Sequence, residues 1–145
     1  MKRKQMIFMV ALAAVVVACC PCRKGTKTAD KPLTQTTWSV VEWGGEPFEA
    51  GENYTLVLFD EGNRFGGRGD CNSIMGTYKL SGKNKIELSS VASTRAFCPN
   101  QTQEDRYIRE LGEVDAYRID GDRLSLMSDG KTIMVLQAQA LSDAQ

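Results

Sequence analysis

The chain has 145 residues, of which 42% are hydrophobic and 25% charged, so it suits one globular domain and leaves no room for several large ones. Its formal net charge is zero, and it contains no histidine. The missing imidazole excludes Ser-His and Cys-His nucleophile pairs and every histidine-containing metal site.

The N-terminal residues have the pattern of a bacterial lipoprotein signal. Three basic residues, Lys2, Arg3 and Lys4, precede an apolar run over residues 6–18. That run is shorter than the roughly 20 residues that a membrane-spanning helix needs. The sequence Val-Val-Ala-Cys at residues 16–19 resembles a lipobox, in which the cysteine is acylated and becomes the first residue of the mature chain. We therefore predict a signal peptide over residues 1–18 and lipidation of Cys19.

We expect this lipid to hold the mature chain on a membrane of the bacterial cell envelope. The expected location is the outer membrane, with the domain facing the periplasm or the cell surface. It has fifteen basic and eighteen acidic side chains, and this net charge of −3 argues against a nucleic-acid partner. Residues 19–33 are aperiodic and contain two prolines, which predicts a flexible lipidated tether. Cys20 and Cys22 lie in it without the second Cys or His pair that a zinc site needs, and whether they pair with each other is open.

Residues 34–138 are predicted to form one mainly β domain. Runs rich in β-branched and aromatic residues alternate with Gly, Asn and Asp turns, and they predict about eight antiparallel strands. Only residues 101–111 have a helical pattern, with Asn100 or Thr102 as N-terminal cap and Gly112 as the stop. We therefore expect an α+β fold in which a closed or nearly closed barrel-like sheet is covered on its open side by one helix. Residues 139–145 are predicted to be a tail.

The glycine-rich stretch that begins at Gly66 is predicted to be a shaped loop up to Asn72, because four glycines within thirteen residues give more backbone freedom than a strand uses. Asn72 is expected there in a turn conformation that few side chains tolerate. Beyond it, a strand is expected to carry one set of residues on a single face: Ile74, Gly76, Tyr78 and Leu80. Residues 89–99 are predicted to be a connection.

Cys71 and Cys98 are the two cysteines of the predicted domain. In the oxidising envelope we expect them to form a disulfide rather than to remain free thiols. A redox-active or metal-binding thiol pair is the alternative, and Arg68 and Arg95 are the obvious cations that could lower the pKa of a thiol.

No catalytic constellation is apparent, and we expect neither an enzyme nor a bound metal or cofactor. The glycine-rich stretch lacks the Lys-Ser/Thr pair and the following helix of a phosphate-binding loop. Adjacent carboxylates occur, as in Glu104 and Asp105, but these lie near the start of the predicted helix, where acidic residues are favoured for local reasons.

Several sequence blocks together resemble the META domain of the heat-shock protein HslJ family. They span residues 33–138 and comprise Trp38, Phe59, Gly66, Gly69, Cys71-Asn72, Gly76, Tyr78, Ser93-Thr94-Arg95-Ala96 with Cys98, Glu104, Leu111, Tyr117, Ile119, Leu124 and Leu126. Asp70 stands where the family usually has glycine. The resemblance implies a small β-rich envelope or secreted domain linked to heat shock, in some members to motility or drug tolerance, with no established reaction.

These observations lead to the hypothesis of a lipid-anchored, non-enzymatic domain that binds an unknown protein or small molecule in stress tolerance. The candidate binding surface is the loop Gly66–Asn72 with the segment Ser93–Pro99 brought beside it by the two cysteines. Its candidate binding residues are Arg68, Asp70, Asn72, Thr94 and Arg95. The alternatives are a thiol-redox protein that uses Cys71 and Cys98, and a purely structural envelope lipoprotein.

Overall fold

The structure is a computed structural model that describes residues 28–140. In that range the strands are β1 (Trp38–Trp43), β2 (Glu46–Pro47), β3 (Thr55–Phe59), β4 (Arg64–Arg68), β5 (Ser73–Ser81), β6 (Lys85–Ser93), β7 (Ala116–Asp120), β8 (Arg123–Ser128) and β9 (Lys131–Ala138). A 3-10 turn covers Glu61–Asn63, and helix α1 is Gln101–Gly112. Among the described residues no helix is long and apolar enough to cross a membrane. The predicted signal peptide, Cys19, Cys20 and Cys22 lie outside the described residues.

The strands form one antiparallel sheet that closes on itself. They pair in sequence order from β3 to β9, β1 pairs with both β3 and β9, and the short β2 pairs with β1. Two joints are narrow: β1 meets β3 through two residue pairs, and β6 meets β7 only at Lys85 and Ala116. Helix α1 packs against β6. The predicted mainly β, nearly closed sheet with a single helix is confirmed.

The hydrophobic core fills the inside of this ring-like sheet. Alternate residues of the strands point inward because side chains along a strand alternate between its two faces. The most deeply buried side chains of the strands include Trp38, Leu56, Leu58, Phe65, Leu124, Leu126 and Leu136. Helix α1 adds Tyr107 and Leu111 to the same core. The chain before β1 also lies on the domain, since the Trp38 indole N–H donates to the Leu33 carbonyl oxygen at 3.0 Å.

The prediction of a loop from Gly66 onward is wrong over its first residues. Gly66 and Gly67 lie within β4, and only residues 69–72 turn the chain toward β5. Neither glycine has a positive φ. A Cβ on Gly67 would lie 2.0 Å from the Thr55 carbonyl oxygen of the neighbouring strand. Glycine is therefore required at this position for a close approach, not for backbone freedom.

Two further predictions about this region are wrong. Asn72 lies in the turn at residues 69–72 without a positive φ, so it does not have the conformation that few side chains tolerate. On β5, Ile74 and Tyr78 of the predicted face are buried, and Leu80 at its end is 45% exposed because β5 continues past the core toward its turn. Strand β6 continues to Ser93, well into the predicted connection. Its small polar residues lack an apolar alternation, and pairing with β5 determines their conformation.

The predicted helix is confirmed, with Asn100 at its N-terminal cap position. The Asn100 carbonyl oxygen accepts the N–H groups of Gln103 and Glu104 at 3.0 and 3.1 Å. Its side chain makes no capping hydrogen bond. Glu104 lies in the first turn of α1, and its side chain contacts the turn before β5.

Candidate functional site

A disulfide joins Cys71, in the turn before β5, to Cys98, in the segment before α1. The two Cα atoms are 5.8 Å apart. The bond therefore fixes the segment before α1 to the glycine-rich turn, and it is the disulfide expected between these two cysteines.

A buried carboxylate lies directly behind this disulfide. Glu104 of α1 has no exposed surface. Its Oε2 atom accepts the backbone N–H groups of Cys71 at 3.0 Å and Asn72 at 3.1 Å, and its Oε1 atom accepts the Asn72 side-chain amide at 2.5 Å. A Cβ on Gly69 would lie 2.7 Å from Oε2, so glycine at position 69 leaves the space that the carboxylate occupies. The turn at residues 69–72 thus closes around Glu104.

The Asn72 side chain connects this carboxylate to the segment of residues 94–97. Its Oδ1 atom accepts the Thr94 hydroxyl and the Ala96 N–H, each at 2.8 Å. Its amide nitrogen, besides donating to Glu104, lies 3.1 Å from both the Ala96 carbonyl oxygen and the Cys98 sulfur. Asn72 is 1% exposed. All its polar atoms are used internally, so Asn72 is a positioning residue of the site and not a free ligand-binding group.

Burial is the largest influence on the pKa of Glu104, and it acts to raise that pKa by disfavouring the charged form. The hydrogen bonds from the Asn72 side chain and from the backbone N–H groups of Cys71, Asn72 and Asp70 favour the carboxylate. Together they outweigh burial and lower the pKa below its ordinary value. Glu104 is therefore ionised at neutral pH, and the turn and helix α1 are joined by charge-assisted hydrogen bonds.

A groove of about 830 Å³ opens beside this network. One wall is the C-terminal part of β6 and the 94–97 segment, and the other is α1 through Gln101, Asp105 and Ile108. Phe97 lines the groove and is 93% exposed, the highest value among the large hydrophobic residues of the part of the chain that the structure describes.

The predicted binding loop is only partly brought together. Asn72, Thr94 and Arg95 line the groove, whereas Arg68 and Asp70 do not. The predicted segment Ser93–Pro99 contains Phe97, which also lines the groove, whereas sequence analysis assigned no site role to Glu104 or to the helix wall. Glu104 looks like an ordinary acidic residue of a first helical turn, and nothing local in the sequence indicates that it binds a turn 32 residues earlier.

The sulfurs of Cys71 and Cys98 and one Glu104 oxygen lie within 4.8 Å of one another, as ligands of a metal would. A metal binds a thiolate, and both sulfurs here are bonded to each other. The cluster does not fit a metal ion while the disulfide is intact.

Tyr54 lies next to the network, within a cluster of edge-to-face and tilted aromatic rings that includes Trp43 and Tyr107. Its hydroxyl is buried without a hydrogen-bond partner among the described residues. Burial, followed by the negative charges of Asp70 and Glu104, raises the pKa of Tyr54 to about 12. Tyr54 is therefore neutral at physiological pH and serves to close the core beneath the turn.

Comparison with known proteins agrees with this architecture. The sequence matches the META domain family over residues 31–140. The fold is similar to that of a protein from Burkholderia xenovorans solved by NMR, at 20% identity with a TM-score of 0.60, covering 74% of this chain and 84% of the other. It is also similar to the crystal structure of a DUF4847 family protein from Bacteroides vulgatus ATCC 8482, at 19% identity with a TM-score of 0.57, covering 77% and 96%. No curated protein matches the chain.

Proposed function

The chain belongs to the META domain family, and we propose that it is a lipid-anchored, non-enzymatic binding domain of the cell envelope with a role in stress tolerance. The lipid anchor rests on the lipobox-like residues before Cys19. The binding role rests on the groove beside β6 and α1.

The observation that carries the binding role is the way Asn72 holds the 94–97 segment. Hydrogen bonds to Thr94 and Ala96 on either side of Arg95 fix the backbone of this segment, so that Arg95 and Phe97 are presented to solvent on a preformed surface. A preformed surface binds with a smaller loss of conformational entropy than a mobile loop. The most exposed large apolar side chain of the described residues lies on it.

The chemistry of the polar groups favours binding over catalysis. The Glu104 carboxylate is already saturated by donors, and its lowered pKa makes it a weak base. Tyr54 has a raised pKa of about 12 and little tendency to ionise. Neither group is placed to transfer a proton to a molecule in the groove.

The thiol-redox alternative is disfavoured by the surroundings of Cys98. This residue is 1% exposed, and its sulfur lies 3.5 Å from a Glu104 oxygen. Burial and an adjacent negative charge both oppose formation of a thiolate, which is the reactive species in disulfide exchange. A redox enzyme needs the opposite environment.

Photo-crosslinking in native membranes tests the binding role. The aromatic photo-crosslinker p-benzoylphenylalanine is placed at Phe97 and, as a matched control, at Lys83, which is exposed in the turn at the opposite end of the β5–β6 hairpin. We expect a discrete crosslinked species from position 97, its loss in Arg95→Glu, and no such species from position 83. Absence of a species specific to position 97 would contradict the binding role.

A further inference from the structure

One edge of β6 carries no neighbouring strand over most of its length. Strand β6 pairs with β5 from Lys85 to Ser93, but its pairing with β7 is limited to Lys85. The Ile86 N–H still donates to the Asp115 carbonyl oxygen at 3.2 Å. Further along, within residues 28–140, no strand pairs with this edge, and Val91, Ala92 and Ser93 line the groove opposite α1. Such an edge presents backbone N–H and C=O groups that a further strand can pair with.

The usable part of this edge is residues 91–95. A bulge with a positive φ at Ser90 interrupts the pairing with β5 and separates these residues from the first half of β6. After the bulge, the Thr94 N–H donates to the Ser73 carbonyl oxygen at 3.0 Å, so the backbone of Thr94 faces β5. Adjacent residues of an antiparallel strand direct their backbone groups to opposite sides, so those of Ser93 face the groove.

Residues 91–95 carry few of the features that usually protect an edge strand. From Leu88 to Ala96 the chain has a single charged residue, Arg95, and no proline. Ala92 and Ser93, which line the groove, have small side chains that leave the backbone accessible. Natural edges are commonly blocked by charges, prolines, bulges or a covering helix. Here the bulge at Ser90 and the charge of Arg95 are present, and α1 lies across the groove from residues 91–95.

The charge of the groove indicates what kind of segment fits. Two charged side chains line the groove: Arg95 on the strand wall and Asp105 on the helix wall. The Asp105 carboxylate accepts the Gln101 side-chain amide at 2.8 Å, whereas Arg95 forms no ion pair among the described residues, so the charge that is available on the strand wall is positive. Phe97 offers an exposed ring at the same segment. An occupant that pairs with the edge can place an acidic side chain opposite Arg95 and an apolar one against Phe97, while its backbone bonds to Ser93.

We propose that the groove takes an extended polypeptide segment that adds to β6 as a strand at residues 91–95, with an acidic side chain opposite Arg95. This inference rests on the proposed binding function and names the class of partner. Main-chain hydrogen bonds would give such a complex its affinity, and the Arg95 and Phe97 contacts would give it specificity.

The test uses the lipidated full-length protein in detergent micelles and a phage-displayed library of random 12-residue peptides as the probe. Selected peptides are synthesised with a single backbone N-methyl group at each position in turn. Only alternate residues of an added strand donate hydrogen bonds to the edge. We therefore expect methylation at these alternate peptide positions to weaken binding about tenfold or more, and methylation at the positions in between to have little effect.

Two substitutions of Ser93 form a matched pair of protein variants that differ in the backbone N–H. Ser93→Pro removes an N–H that faces the groove while leaving the ladder to β5 intact, and it is expected to weaken binding about tenfold. Ser93→Ala keeps the N–H and should bind as the native protein does. Arg95→Glu should weaken binding, and exchanging the acidic residue of the peptide for lysine should restore it.

Failure to select any peptide, or a methylation scan without alternation, overturns strand addition. If the crosslink from position 97 persists in that case, the binding role stands and the partner is not an added strand. If that crosslink is also absent, the proposed function itself is wrong. The scan alters only the peptide, so this conclusion does not depend on whether Ser93→Pro folds.

Discussion

At the scale of single residues, the site depends on the contact between Asn72 and Glu104. Each side chain is buried, and each uses its polar atoms to hold a piece of chain from a different part of the sequence. Burying a charge in this way is tolerated only because every oxygen has a donor. Loss of either side chain therefore leaves the other without its partner.

Asn72→Ala is expected to lower the free energy of unfolding by about 3 kcal/mol, because Glu104 loses its side-chain donor and Thr94 and Ala96 lose their acceptor. Asn100→Ala is the matched control. Asn100 is exposed and its side chain makes no capping bond, so a change within about 0.5 kcal/mol is expected. Urea unfolding measures both, and equal effects would contradict the role given to Asn72.

The pH dependence of stability provides a second test at this scale. The pKa of Glu104 is lower in the folded chain than in the unfolded one. Its contribution to stability is therefore present above the unfolded value of about 4.3 and is lost as the pH falls through the folded value. Glu104→Gln should be less stable than the native protein at neutral pH, and the difference should shrink below about pH 4. A difference independent of pH, measured by urea unfolding from pH 7 to pH 2.5, would contradict this assignment.

Alanine substitutions at two glycines with different surroundings test whether the close approach of β3 to Gly67 requires glycine. Gly67→Ala places a Cβ 2.0 Å from the Thr55 carbonyl oxygen and is expected to destabilise the fold by about 3 kcal/mol or more. Gly112→Ala, in α1 with nothing within 4 Å of the added Cβ, is expected to be neutral or to stabilise by up to about 1 kcal/mol. Thermal unfolding distinguishes the two, and similar effects would show that Gly67 is not required for the strand contact.

At the scale of elements, hydrophobic periodicity predicted most strands and the helix. It failed where pairing with a neighbouring strand, and not the hydrophobic pattern, determines the backbone conformation. The alternation of Ile86 and Leu88 is visible in the sequence, and both are buried. The second half of β6 has no such pattern, and it is a strand because β5 lies beside it. The β5–β6 pairing and the predicted disulfide bring the turn at residues 69–72 close to the start of α1. That Glu104 would accept hydrogen bonds from this turn could not be predicted, since nothing in the local sequence distinguishes it from an ordinary acidic residue of a first helical turn.

The disulfide and the Asn72 network are two independent links between the same elements. Removing the disulfide by Cys71→Ser with Cys98→Ser is expected to lower the free energy of unfolding by about 3.5 kcal/mol, from the entropy of a loop with a sequence separation of 27. The folded state should persist, because Asn72 still holds Thr94 and Ala96. Urea unfolding together with NMR spectra of the variant measures both, and loss of the native spectrum would contradict independence of the two links.

At the scale of the whole molecule, the anchor and the domain are separate parts of the proposal. The double variant Cys19→Ser with Cys20→Ser is expected to move the protein from the membrane to the soluble fraction, because the proposed acyl chains would supply its membrane affinity. Both cysteines are replaced because Cys19→Ser alone would leave Val-Ala-Ser-Cys, a lipobox-like sequence, at residues 17–20. Cys20→Ser is the matched control and should remain in the membrane fraction. Fractionation with detection of the protein in each fraction checks this, and membrane retention of the double variant would contradict the proposed anchor.

The central claim is that the hydrogen bonds of Asn72 hold the 94–97 segment in the shape that binds a partner. The most direct measurement is the yield of the crosslink from position 97 in native membranes, compared between the otherwise native protein and Asn72→Ala at a temperature where both are folded. We expect a strong crosslink from the otherwise native protein and its loss in Asn72→Ala. An equal yield from both would show that binding does not depend on the Asn72–Glu104 network.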